Sequence, residues 1–324
     1  MSLSSFGRPL LRNVSSVVLM VLMTLAADLL AQPEVYFPEV GALCVGLWVM
    51  DKRVWTVRRW QIPVLFTLAA AVGVGLASLP FYLPLKLLAA FFFVAVLMML
   101  MRVSMLPALS ACMLPVLMGT SSWVYPVAVS VLTSVLAAGQ SAMERWGWRT
   151  PLPAGSVLSR PPSPWPQLLR WLLLSAILLP FAVLLQSLSH VPALAFCRLA
   201  MVPPLVVTLV EFGSSASGFR RRPVRTWLLI VLCAAMGTCC EGLLHLSAGL
   251  PQAAAVGADA LLVLLFFAWR RRFFAPAMTL SLVPMMVAAH FGPTAVAVYP
   301  LYVAVGAAYF IFMAKVCFPR GASL

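Results

Sequence analysis

The chain has 324 residues, of which 63% are hydrophobic and only 9% charged, with a net charge of +14. Globular proteins carry about 25% charged residues, so a water-exposed surface of this size cannot be covered, and lipid is the solvent that remains. Lipid requires the backbone to pair internally, and no segments of roughly ten residues alternate with the period of an outer-membrane barrel.

Helices are the expected solution. In chain order, apolar runs begin near Asn13, Val35, Pro63, Leu85, Leu106 and Trp123, and a second set begins near Leu168, Ala193, Trp227, Gln252, Ala275 and Thr294. Each spans, or nearly spans, the roughly 20 residues that cross a bilayer, which predicts an all-α polytopic membrane protein of about twelve segments. The first run follows Arg8 and Arg12 in the manner of a signal peptide. Asp28 interrupts its end and a counterpart occurs later in the chain, so a retained helix is expected. The one long polar interval, 140–166, contains Glu144, Arg145, Arg149, Arg160 and several prolines. It reads as a cytoplasmic linker between a first membrane repeat, 1–139, and a second, 167–324.

Charge placement sets the orientation. With the N-terminus inside, all of the 22 basic residues except Lys86 and Arg198 fall at inside ends of the segments. That segregation follows the positive-inside rule. It predicts a multi-pass protein of the inner (cytoplasmic) membrane with both termini cytoplasmic, and it accounts for the net charge without nucleic acid. The seven cysteines, Cys44, Cys112, Cys197, Cys233, Cys239, Cys240 and Cys317, form no CxxC pair and no cluster with histidine. They read as small buried hydrophobes rather than as metal ligands or disulfides.

The two sets of runs are related. Leu10-Leu11-Arg12 matches Leu168-Leu169-Arg170, Pro38 matches Pro203, and Leu83-Pro84 matches Leu250-Pro251. Pro107 and Pro115 match Pro276 and Pro284, and Tyr125-Pro126 matches Tyr299-Pro300. The matches are collinear. An even number of segments per copy predicts two parallel repeats about an axis along the membrane normal. A proline followed by small residues recurs three segments apart within each copy, at Pro38 and Pro107 and again at Pro203 and Pro276. This predicts a weaker 3+3 inverted symmetry built on short, proline-broken helices.

Such broken helices in matching positions mark transporter sites, and their N-termini suit an anion. Pro38, Pro107, Pro203 and Pro276 therefore frame the expected solute path. Charges inside the membrane are functional candidates by default: Asp28, Glu39, Arg198, Glu241 and Asp259. For Asp28, Glu39 and Arg198 the alternative is snorkelling to the outer interface. Asp259, flanked by Gly257, Ala258 and Ala260, is mid-segment, and Arg198 is a candidate partner for it. None of these acids has an acidic counterpart in the other copy. His190, His245 and His290 have no metal spacing, and no nucleotide fingerprint occurs, so neither an enzyme nor a cofactor is expected.

The stretches Val202-Pro203-Pro204 through Arg220-Arg221-Arg222-Pro223, and Arg270-Arg271-Arg272 through Phe274-Ala275-Pro276-Ala277-Met278-Thr279, resemble the HPP family of membrane proteins. Phe37-Pro38 and Met105-Leu106-Pro107 echo them in the first copy, although the His-Pro-Pro signature itself is absent. Fusaric-acid-resistance-type exporters share the proline and basic-loop rhythm and are the rival match. HPP resemblance implies small-anion transport, with nitrite the substrate suggested for some members. The expectation is thus a transporter or channel for a small anionic solute in the lipid bilayer. The alternative is a non-transporting membrane subunit that docks a cytoplasmic partner through its basic loops, and a homo-oligomer is compatible with either.

Overall fold

The computed structural model describes residues 7–51, 55, 57–150, 164–214 and 217–319, and within them the fold is helical. Twelve α-helices follow in order: α1 (Gly7–Leu30), α2 (Glu39–Cys44), α3 (Gln61–Ala77), α4 (Leu83–Met101), α5 (Pro107–Met118), α6 (Val124–Arg145), α7 (Pro164–Leu188), α8 (Pro203–Gly213), α9 (Pro223–Cys240), α10 (Gln252–Arg270), α11 (Ala275–Phe291) and α12 (Pro293–Cys317). The chain is a multi-pass α-helical membrane protein. Among the described residues seven helices are long and apolar enough to cross a bilayer: α1, α4, α6, α7, α9 with its continuation to Ser247, α10 and α12. An eighth crossing forms if Pro192–Met201 and α8, bent by 46°, are counted as one. The expected twelve full segments are thus helices of unequal length. α3, α5 and α11 are apolar but shorter, and α2 has six residues before a wide π-type turn at Val45–Val49. Of the expected linker 140–166, residues 140–145 complete α6 and α7 begins at Pro164. Residues 151–163 lie outside the described part.

Burial separates two classes of helix. Every residue of α2 is buried, and α5, α8 and α11 are buried along nearly their whole length. Around them, the long helices keep one face outward. In α1 the outward face is Leu10, Val14, Val18, Leu22, Leu25 and Leu29, and the inward face includes Ser16, Met20, Met23, Thr24 and Ala27. An apolar stripe exposed at helical spacing is what a hydrocarbon surround selects.

The central helices pack as α2 on α11, α5 on α8, α8 on α11 and α2 on α5. α1 lies against α10 and α4 against α7. α3 lies against α5 and α6, and α9 against α11 and α12.

Two prolines explain how this centre is held. A helical N–H bonds the carbonyl four residues earlier, and proline has no N–H. Pro115 in α5 and Pro284 in α11 therefore free the carbonyls of Ala111 and Leu280. Tyr125 donates its hydroxyl to the first at 3.2 Å, and Tyr299 donates to the second at 2.9 Å. The next carbonyl along each helix is met by a glycine from a neighbour. A Cβ on Gly73 of α3 would lie 2.3 Å from Cys112 O, and one on Gly237 of α9 would lie 1.7 Å from Ser281 O. Small residues let membrane helices approach to this distance, where packing rather than hydrophobicity drives association.

Tyr299→Phe is expected to cost about 1–3 kcal/mol by orphaning a buried carbonyl, read as a fall in the melting temperature of the purified protein in detergent. In a Pro284→Ala background the restored N–H takes up Leu280 O, and the same change costs much less. Equal losses in both backgrounds exclude the pairing. Gly237→Ala is expected to cost at least about 3 kcal/mol through a main-chain clash. Gly75→Ala, where an added methyl meets nothing within 4 Å, leaves the melting temperature unchanged or raises it.

Candidate functional site

Glu39 is the first residue of α2, following Pro38, and it is 1% exposed; Asp259, midway along α10, is 0% exposed. Asp259 lies on the face of α10 that carries Ala255, Val256, Ala260 and Val263 into the protein. Neither carboxylate has a hydrogen-bond partner. Ser110 of α5 lies beside Glu39, and Ser281 of α11 lies beside Asp259, and these hydroxyls are hydrogen-bond donors available to the two acids. Among the described residues no basic side chain forms an ion pair with either acid. Glu241, where α9 gives way to the π-type turn Glu241–Ser247, is also fully buried and unbonded, with His245 and Gln252 nearby.

Two tyrosines tie the acids into one region. Tyr36 and Tyr299 both lie within electrostatic reach of Glu39 and Asp259. Tyr36 donates its hydroxyl to Leu282 O at 2.9 Å, and Tyr299 donates to Leu280 O. α11 therefore presents successive carbonyls to side chains from both ends of the sequence. Gln252 adds a third bond, to Met285 O at 3.2 Å.

Tyr36 also lines a vestibule of about 420 Å³, together with Asp28, Gln32, Gln252 and His290. The hydroxyl of Tyr36 is thus held near the acids, and the same residue lines the vestibule.

The buried arginines are elsewhere. Arg12 pairs with Asp51 at 2.6 Å, Arg149 donates to Gly46 O at 3.4 Å, and Arg170 donates to Val210 O at 3.0 Å. All three groups serve the C-terminal reaches of α2 and α8, where carbonyls and the dipole end favour a cation.

Each residue expected from sequence has a definite place. Pro38, Pro107, Pro203 and Pro276 are buried, and the four helices they open pack on one another. Asp28 is exposed at the vestibule. Glu39 does not snorkel to the interface, because it is buried. Arg198 is half-buried in the turn Cys197–Met201 and forms no ion pair with Asp259, so the partnership considered for that acid is corrected. Tyr36, Ser110 and Ser281 were not among the expected residues, and Tyr299 stood only as a repeat landmark. The signal available for Tyr299 was a proline eight residues into a proline-initiated helix, which guarantees a free carbonyl needing a donor.

The chain matches no protein-family model, no curated protein and no solved structure.

Proposed function

We propose that the protein is a membrane transporter that moves a small anion together with a proton along the interface between two tandem halves. The observation that carries this reading is the pair Glu39 and Asp259, at the start of α2 and midway along α10, both fully buried and without an ion-paired base among the described residues. A charge left so at membrane depth costs several kcal/mol, which natural sequences retain for function. Something positive has to complete the site. An anion about 5 Å from an ionised carboxylate is repelled by about 3 kcal/mol at an effective dielectric of 20. A proton on the carboxylate removes that repulsion, so the two travel together.

Further support comes from the contacts. Under the repeat alignment, α1 on α10 corresponds to α7 on α4, and α2 on α11 to α8 on α5. The Tyr125–Ala111 and Tyr299–Leu280 bonds correspond as well, as do the approaches of Gly73 and Gly237 to carbonyls. These equivalences favour two parallel six-helix repeats, with the arginine-rich loops and termini on the cytoplasmic side of the inner membrane. The resemblance of the proline stretches to HPP proteins points to the same class of solute. Tyr36 borders both the vestibule and the acids, and rocking of one half against the other is the motion that would connect them.

In proteoliposomes offered nitrite, formate or chloride, uptake of at least one anion is expected to rise when the outer solution is acidified. Asp259→Asn and Glu39→Gln are expected to lose that pH dependence, since neither amide accepts the proton. Unchanged pH dependence in both variants removes the acids from the mechanism. The same two variants are expected to melt higher than the parent in detergent, by about 1–3 kcal/mol of stability per unbonded carboxylate removed. A lower melting temperature shows instead that the acids are structural.

A further inference from the structure

The ends of α9 and α10 present an unneutralised basic groove. It has a volume of about 700 Å³ and is lined by Arg222, Arg225, Arg270 and Arg272, with no acidic residue in its wall. Among the described residues none of these arginines is ion-paired. Four like charges in one groove repel each other, and an anion bound between them relieves the repulsion.

The remaining wall is apolar and faces outward. Leu228 is 46% exposed, Leu232 48% and Trp269 74%. Leu232 lies seven residues beyond Arg225, about 10 Å further along the helix axis. Trp269 carries the Arg270 guanidinium over its ring at 5.4 Å, an amphipathic pairing suited to the depth where headgroups meet acyl chains. A soluble anion has no use for the apolar wall, whereas a molecule with an anionic head and a hydrocarbon tail fills both parts.

The described residues at the equivalent end of the first half are arranged differently. There Arg58, Arg59 and Arg102 stand near the start of α3 and the end of α4, and Arg59 is paired with Glu144. Among the described residues the four arginines of the groove thus contrast with Arg59, which has an acidic partner.

We infer that the groove between α9 and α10 binds an anionic phospholipid, its phosphate held by Arg222, Arg225, Arg270 and Arg272 and its acyl chain laid along Leu228 and Leu232. Basic pockets between membrane helices recognise such headgroups.

The test is native mass spectrometry of the purified full chain titrated with phosphatidylglycerol, cardiolipin or phosphatidylcholine. The expected result is retention of the two anionic lipids over phosphatidylcholine. Arg225→Gln and Arg270→Gln are each expected to weaken phosphatidylglycerol binding about fivefold, the contribution of one basic residue near an anionic surface. Replacing all four arginines with glutamine abolishes the preference, while Arg58→Gln with Arg102→Gln leaves it intact. If the fourfold variant is not monodisperse, the two single variants decide. Equal binding of phosphatidylcholine, or unchanged affinity in both single variants, overturns the proposal. So does displacement of the lipid by inorganic phosphate at the lipid's own concentration, which identifies a free-anion site. Co-purification of a protein on these arginines in place of lipid overturns it too.

Discussion

The structure depends on one requirement of hydrocarbon: a main-chain carbonyl released by a broken helix has to find another donor. Pro115 and Pro284 release such carbonyls at the centre of the bundle, and Tyr125 and Tyr299 take them up from the following helices. The requirement fixes α6 to α5 and α12 to α11. It also places phenol hydroxyls where an apolar residue would otherwise stand. The polar character of the centre therefore originates in the backbone before any charged residue is considered. Glu39 and Asp259 are added to a region already organised by hydroxyls. α11, whose carbonyls at Leu280, Leu282 and Met285 hold Tyr299, Tyr36 and Gln252, is the element on which these bonds converge. A movement of α11 has to exchange these bonds together, which suits a switch between discrete arrangements.

Charge is sorted by the same logic. Carbonyls at the ends of α2 and α8 have no helical partner, and Arg12, Arg149 and Arg170 supply positive charge around them. Those arginines are thereby committed and do not neutralise the acids. With Arg198 in its own turn, Glu39 and Asp259 have no ion-paired base among the described residues. A protein selected for stability alone would have replaced them with apolar residues, since removing an unbonded buried polar group is neutral or favourable.

Much of this frame was legible in the residues. Composition requires lipid, the spacing of apolar runs marks each helix, and the prolines at positions 38, 107, 203 and 276 locate the four buried ones. The length of the central helices was not legible, because an apolar run of fixed length reads alike whether it is a straight crossing or a short helix with turns, as at Pro192–Met201 before α8. Side-chain partners were also hidden. Arg198 and Asp259 looked complementary by sign, but sign carries no information on direction, and the two do not meet. Tyr36 escaped notice since it lies before α2 in a stretch without periodicity, where only the three-dimensional path of the chain brings it to α11.

The two halves share contacts that involve the backbone and differ in those that involve charge. Tyrosine to carbonyl and glycine to carbonyl occur in both, whereas Asp259 has no acidic counterpart in the first half, and Glu144 neutralises Arg59 but no acid among the described residues pairs with Arg222, Arg225, Arg270 or Arg272. Backbone contacts are constrained by the bilayer at every depth, so they resist change. Charges are constrained only by what they bind. Divergence of the second kind leaves the paired backbone contacts in place around the buried acids of α2 and α10 and the basic groove of α9 and α10.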